Sequence, residues 1–479
     1  MLHFNEPDPT GKYRSQEIMS LYHLKELVPS QKLSSSKLSH RHWNKIILVS
    51  LTMLTLLIST LFTSTVALAQ NNVTATSLTL TQAIKQTLQK NPNLKAFKYR
   101  QLSLEGQQQT QALSPGYELG VDVENFAGTG DLRGVNGAEF TVSLSSVIEM
   151  GDKREARIGV VSHRSRLLAA QKKIETLSLL GEVTRRYIEV INAQELLTLA
   201  NAAISLAEET LFEVEKRSNA GITPIAEVNR AKAAFGTAKL TAYAQQQQLD
   251  IAKRALAMLW KETTPTFTSV VGDLYQLPNN VDFNRLFAKV KQNPAIALFV
   301  SEQRLIDAEL LLARSQSSGD IKWSVGLRQN QEINETSLVA GFSMPLFSAK
   351  RTYGAVSSAL AAKDESTAKQ EAALLKLQAQ LYRAYASRKQ AVYTANNLKN
   401  HIIPLLEQAL NDAQNAYQVG RYSYLDYLTA REELLFAKRA LIDSASSALR
   451  FGADIEQLIA EPLTASSYGS DLTDQGILQ

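Results

Sequence analysis

Cysteine is absent from all 479 residues. That excludes disulfides, thiol nucleophiles, zinc–thiolate sites and lipid attachment through a cysteine. Histidine is almost as scarce: His3, His23, His40 and His42 fall in the first 69 residues, which leaves His163 and His401. No histidine cluster is available to hold a metal. Met150, Met258 and Met344 lie far apart and form no soft-metal ladder. With no nucleophile–base constellation visible, neither an enzyme nor a cofactor is expected. A dominant charge is missing too. Against a net charge of +5, residues 1–69 hold seven Lys/Arg and four Asp/Glu, so the remainder is close to balanced. Without a Lys/Arg run, a nucleic-acid partner is not expected. Proline is absent from Gly116 through Thr223. A 44% hydrophobic and 20% charged composition fits neither a disordered chain nor a polytopic helical membrane protein.

What is present begins with a leader. Arg41, His42 and Lys45 precede the apolar stretch Ile46–Leu68, which closes on Ala67-Leu68-Ala69 before Gln70. A basic region, an apolar region and small residues at the end predict a cleaved secretory signal, with cleavage before Gln70. An uncleaved membrane anchor is the alternative, since the apolar stretch is nearly long enough to span. Residues 1–40 are long for a signal's leading region, and Met19 is a second candidate start.

The rest reads as two repeats. Lys90-Asn91-Pro92 returns as Gln292-Asn293-Pro294, and Gly221 with Thr223, Pro224 and Glu227 aligns with Gly420, Tyr422, Ser423 and Asp426. The expected boundaries are 1–69 for the extension and signal, 70–277 and 278–462 for the repeats, and 463–479 for a C-terminal tail. Each repeat is expected to run short helix, helix, two strands, very long helix, tight turn, long helix.

The strands alternate with period two. Tyr117, Leu119, Val121 and Val123 oppose Glu118, Asp122 and Glu124, while Phe140, Val142 and Leu144 alternate with Glu139, Thr141 and Ser143. Ile321, Trp323, Val325 and Leu327 follow the same rule, as do Leu338, Ala340, Phe342 and Met344. Polar tips at 128–137 and 329–335 make these two hairpins. From Asp152 to Arg217 there is hardly a helix breaker, which predicts a helix about 100 Å long. Val183, Val190, Leu197, Ile204 and Leu211 recur every seven residues, and Ala193, Ala200, Ala207 and Val214 follow three residues after the later four. That is a coiled-coil seam with small residues that allow close approach. Gly221 and Gly420 mark the turns, Pro224 opens a return helix, and Pro404 predicts a kink.

Four two-faced strands cannot close a membrane barrel, which takes at least about eight, and open edges do not survive in lipid. Pooling strands from three chains gives about 12. The expected fold is therefore mainly α with β: a trimeric α-barrel of long coiled-coil helical hairpins, continuous with a shared outer-membrane β-barrel to which each protomer gives four strands. A periplasmic coiled-coil scaffold is the alternative; it accounts for the helices but not for the two-faced strands.

With its paired Asn-Pro starts and its Gly-x5-Glu/Asp turns, the pattern resembles the TolC-like outer-membrane efflux proteins over about residues 78–460. Glu124-Asn125-Phe126, Glu139 through Leu144 and Glu149-Met150-Gly151-Asp152-Lys153-Arg154 resemble the heavy-metal branch, which includes the cobalt–zinc–cadmium efflux component. Asp152 is an insertion within that branch's Gly-Lys-Arg theme.

The resemblance implies a homotrimer in outer-membrane lipid with a periplasmic extension, a periplasmic adaptor, and an inner-membrane proton-driven pump. The function it implies is a passive exit duct for metal cations or other small toxic solutes; a duct for secreted polypeptides shares the fold. It also implies that acids after the turns, Glu227 and Asp426, constrict the periplasmic entrance, and that the turns 217–223 and 419–423, with Gly221, Thr223, Gly420 and Ser423, receive the adaptor. Both acids equally suit the first turn of a helix, where they meet its dipole. Thr429 stands where relatives carry a second acid. Arg421, Tyr422 and Tyr424 crowd the second turn and are candidates to hold it closed. Tyr417, Tyr424 and Tyr427 also fit plain helix packing.

Overall fold

The computed structural model describes residues 77–130, 133–277, 282–346 and 349–463. The leader, the cleavage before Gln70 and nearly all of the C-terminal tail lie outside the described residues.

Strand β1 (Ser77–Leu78) leads into helix α1 (Leu80–Lys90), whose Thr79 and Gln82 form a reciprocal capping box. Helix α2 (Pro92–Gln111) and strands β2 (Glu118–Glu124) and β3 (Glu139–Ile148) follow. The chain then runs through α3 (Lys153–Asn219) and α4 (Ile225–Met258) to strand β4 (Ser269–Val270). Beyond it come α5 (Phe283–Val290), α6 (Pro294–Ser315), β5 (Ile321–Asn330) and β6 (Glu335–Ser343). Helices α7 (Ala349–Asn397), α8 (Ile403–Gln418) and α9 (Tyr424–Ile459) complete it.

Both Asn-Pro sequences do the same work. Asn91 accepts the Asn93 N–H at 2.9 Å and caps α2, while its Nδ2 donates to the Leu259 carbonyl at 2.9 Å. Asn293 accepts the Ala295 N–H at 2.7 Å and caps α6, and its Nδ2 donates to the Leu458 carbonyl at 2.8 Å. A cap residue thereby ties the start of a shorter helix to the far end of a long one. Proline is tolerated beside each because the first helical N–H has no intrahelical partner.

Helix α3 has 67 residues, about 100 Å at 1.5 Å per residue. Its seam is visible in burial: Val183, Val190, Ala193, Ala200, Ala207 and Val214 are buried, whereas Leu197, Ile204 and Leu211 are half-buried. The small residues let α3 lie close to its neighbours α4 and α9, and α9 packs in turn on α7 and α8. Near the sheet, α2 and α6 flank α3. At mid-length, the parallel β1–β4 pair is fastened to α3. The buried Tyr187 hydroxyl donates to the Leu78 carbonyl at 2.8 Å, and Gln194 brackets Val270 with bonds of 2.8 and 3.2 Å.

Pro404 is absorbed by a π-helical turn over Leu398–Ile402, in which Ile403 N–H donates to the Leu398 carbonyl five residues back. Widening the turn relieves the clash that a proline ring makes with the carbonyl four residues earlier. Pro224 sits one residue ahead of its helix, at the N-cap of α4, rather than inside it.

Strands β2, β3, β5 and β6 form one antiparallel sheet in that order. Its register keeps the two faces apart. Val121, Val142, Leu327 and Leu338 lie level on one face, and Asp122, Thr141, Arg328 and Ser337 lie level on the other. On the polar face Arg328 reaches Glu124 at 2.9 Å and Glu139 at 2.8 Å. Where β3 gives way to α3, Gly151 adopts φ +76° against Ser318, and a Cβ there would collide with that side chain. Lys153 pairs with Asp320 at 2.7 Å, and Arg157 pairs with Glu149.

Candidate functional site

The two turns joining the long helices are built alike. Helix α3 ends with Gly221 at φ +72°; Ile222 N–H donates to the Arg217 carbonyl at 3.0 Å and Gly221 N–H to Ser218 at 2.9 Å. Helix α8 ends with Gly420 at φ +80°; Arg421 N–H donates to Ala416 at 2.8 Å and Gly420 N–H to Tyr417 at 3.0 Å. This pair of bonds satisfies carbonyls that a helix end leaves open, and it needs a left-handed residue that glycine alone supplies without strain.

Ser423 and Asp426 close the start of α9 as a capping box: Asp426 N–H donates to Ser423 Oγ at 3.2 Å, and Ser423 N–H donates to the carboxylate at 3.0 Å. The Ser423 hydroxyl also donates to that carboxylate, at 2.7 Å, and these bonds hold Asp426 below the usual carboxylate range. Asp426 is solvent-exposed, so its charge is engaged in the cap and open to water at once. Glu227 occupies the first turn of α4, half-buried, and faces Tyr417. Thr223 is buried, with its hydroxyl accepting from Arg217 Nε at 3.4 Å, rather than offered at the surface. Burial pushes the Tyr417 hydroxyl up, and the Glu227 carboxylate adds to the rise.

The second turn divides its aromatic residues. Tyr424 and Tyr427 are buried with Tyr417; the Tyr417 and Tyr427 rings stack at 5.8 Å and the Tyr424 ring meets Tyr417 edge-on at 6.4 Å. Burial raises the Tyr424 hydroxyl pKa. Arg421 and Tyr422 stay exposed with the apolar Val419, Leu425, Ile222 and Ile225. A cation–π contact at this turn comes from Arg217 of the other turn, 4.7 Å from the Tyr417 ring centroid.

Sequence reasoning passed over Arg217 and Tyr417 as a pair. A basic residue in the last turn of a helix suits that helix's own dipole, and nothing local signals a partner 200 residues away. Among the described residues, no three His, Asp or Glu side chains converge where a metal ion would sit. What the arrangement offers is acids, tyrosines and glycine turns gathered at one end of four long helices, with a two-faced sheet at the other.

The family model described as outer membrane efflux protein matches residues 83–260 and 292–461. The cobalt-zinc-cadmium resistance protein CzcC of Cupriavidus metallidurans is 28% identical over 366 residues, which cover 75% of this chain and 85% of that protein. A membrane protein from Pseudomonas aeruginosa superposes with a TM-score of 0.67 at 16% identity, over 80% of this chain and 90% of its own. The outer membrane protein VceC from Vibrio cholerae superposes with a TM-score of 0.61 at 20% identity, over 80% and 97%. At such identities the structural likeness speaks for the fold.

Proposed function

The chain belongs to the outer membrane efflux protein family, and from that premise we propose that it is the outer-membrane channel component of a tripartite efflux pump, a passive exit duct for metal cations or other small toxic solutes. The observation that carries the reading is the sheet. Leu119, Val121, Leu327, Leu338 and Phe342 stay exposed on its apolar face, while Glu118, Asp122, Glu124 and Glu139 stand on the other. One face suits lipid and the other a wet lumen. Strands β2 and β6 each have an unpaired edge; in a bilayer those edges must be paired, and three copies supply about 12 strands for a closed barrel.

In this reading, two repeats, 70–277 and 278–462, each give one β-hairpin to the barrel and one pair of long helices to a periplasmic tube. The turns at Gly221 and Gly420 form its far end. There a periplasmic adaptor docks on the exposed Ile222, Val419, Arg421 and Tyr422, and an inner-membrane proton-driven pump delivers the solute. Glu227 and Asp426, three copies of each, favour cations at the entrance. Metal cations are the favoured substrate class because the cobalt-zinc-cadmium resistance protein is the relative matched at 28% identity.

The test is membrane fractionation followed by semi-native electrophoresis with and without heating, paired with metal tolerance in a deletion strain. A heat-modifiable trimer in the outer membrane, with tolerance lost on deletion, is the expected result. A soluble or inner-membrane monomer would return the coiled-coil scaffold to first place. Intact tolerance with a missing secreted polypeptide would make the duct a secretion channel.

A further inference from the structure

Columns of helix stand beneath the four-stranded sheet. Asn91 ties the start of α2 to the end of α4, and Asn293 ties the start of α6 to the end of α9. Helix α7 runs through the π-helical turn into α8. With α3 spanning both levels, the packing order α2–α3–α6–α7 at the sheet becomes α4–α3–α9–α8 below it. The outer columns, α2 over α4 and α7 over α8, belong to β2 and β6, the strands with a free edge.

Both outer columns carry a bare apolar face. On α4, Val228, Ala231, Leu249 and Leu256 are buried toward α3. Ile225, Gly236, Leu240, Tyr243, Ile251 and Met258 are exposed on the opposite side, at spacings of 11, 4, 3, 8 and 7 residues, each near a whole number of turns. On α8, Leu405, Ala409 and Ala416 share a face distinct from that of the buried Leu410, Ala413 and Tyr417. Gly236 sits inside the α4 face. Glycine in a helix interior is destabilising, and the protomer gives no reason for it, since no atom lies within 4 Å of a Cβ built there. Gly106 of α2 and Gly354 of α7, also on the outer columns, are equally bare, as is Gly159 of α3. Gly181 of α3 and Gly452 of α9, by contrast, each meet a side chain.

We infer that the α4 face is covered by α8 of a second copy, running antiparallel, with Leu405 of that copy seated over Gly236. The direction follows from the chain, because α4 leaves the turn at Gly221 and α8 arrives at the turn at Gly420. Arg217 holds those two turns level through the Tyr417 and Gln418 carbonyls. Gly236 lies fifteen residues after Gly221, and Leu405 lies fifteen before Gly420, so equal lengths of helix bring both to one height. A leucine knob over a residue without a side chain lets two helix backbones approach closely. Each copy presents α4 at one edge and α8 at the other, so the contact is head-to-tail and closes into a ring. The inference rests on the trimeric reading above and assigns that ring its seam below the sheet.

A chain without cysteine makes the test clean. Outer membranes carrying Gly236→Cys and Leu405→Cys in one chain are oxidised with copper phenanthroline and run denatured without reductant. Covalent dimers and trimers are expected, and co-expressed single variants should give the dimer alone. Gly236→Cys with Asn411→Cys, on another side of α8, should give on the order of tenfold less, because cysteines whose Cα atoms lie more than about 7 Å apart do not bridge. Gly236→Leu supplies a second readout. On an uncovered helix face leucine is the better helix former and should raise the temperature at which the trimer dissociates; in the seam it overpacks and should lower it. A trimer that yields no 236–405 dimer, or that survives heating as well or better with Gly236→Leu, would overturn the seam and leave the duct reading standing. A wild-type chain that is monomeric in the outer membrane would overturn both.

Discussion

Arg217 at the end of one helical hairpin holds the last turn of the other: its Nη1 donates to the carbonyls of Tyr417 at 2.7 Å and Gln418 at 2.8 Å. Its guanidinium also covers the Tyr417 ring. A cation placed on the open carbonyls of a helix C-terminus meets the negative end of the dipole, and a charged donor makes each bond stronger than a neutral one would be. Arg217→Ala should loosen the turn by about 1–2 kcal/mol, after discounting for its partial exposure. Amide exchange over residues 416–423 should quicken several-fold and single-channel conductance should rise. Arg217→Lys should recover part of both, because it keeps the charge but not the planar stack on the ring. Unchanged exchange in Arg217→Ala would leave the tyrosine cluster as the only clasp.

Asp426 poses a separable question, since the same carboxylate caps α9 and carries exposed charge. Asp426→Asn removes the charge and keeps a side-chain oxygen able to accept the Ser423 N–H in the capping box, whereas Asp426→Ala removes both. A gate role requires cation selectivity in planar bilayers to fall equally in the two variants. A capping role requires Asn to behave as wild type and Ala alone to fray the start of α9. The carboxylate is held below its usual range by Ser423, so its contribution to stability is complete above the ordinary carboxylate value. It is lost only as pH falls through the lower folded-state value. Acidification to pH 5 should therefore leave the cap intact.

The reach of the sequence follows from the range of the forces involved. Strands β2, β3, β5 and β6 were legible because a sheet with one apolar face imposes strict alternation, and Tyr117 through Val123 obeys it. Helix α3 was legible from its breaker-free length and from Ala193, Ala200 and Ala207. The turns were legible because Gly221 and Gly420 are the residues that a left-handed end requires. Contacts between distant segments were not legible. Arg217 on Tyr417, the burial of Arg431 and the burial of Thr223 depend on how two hairpins lie together. No local spacing encodes that placement. Tyr424 shows the same limit from the other side, because a tyrosine beside a turn is as consistent with the surface as with the core until its neighbours are known.

Gly221 and Gly420 separate backbone strain from steric fit. No atom lies within 4 Å of a Cβ built at Gly221, and at Gly420 the nearest is Arg217 Nη2 at 3.8 Å. Room is therefore available at both, and the penalty for substitution is conformational. Alanine at either should cost about 1–2 kcal/mol, and asparagine less, because it tolerates the left-handed region. Thermal melts of the assembled oligomer should show this order, Gly above Asn above Ala. If the turns also receive the adaptor, valine at either position should abolish efflux while the trimer still assembles. Loss of the trimer instead would assign these glycines to folding alone.

His163 supplies the pH dependence that Asp426 does not. Its Nδ1 is buried without a hydrogen-bond partner. Burial is the leading cause that holds its pKa below the ordinary histidine value; Arg166 and Arg304 add to the depression and Asp307 opposes it. For a base with a lowered folded-state value, the unfolded chain binds the proton more readily. The stability from the neutral ring is therefore fully present above about pH 6.5 and declines as pH falls through the folded-state value. The melting temperature of the oligomer should be lower at pH 5.5 than at pH 7.5, and His163→Gln should reduce that difference without lowering the melt at pH 7.5. An undiminished difference in His163→Gln would assign the acid sensitivity to carboxylates elsewhere and leave His163 a spectator inside α3.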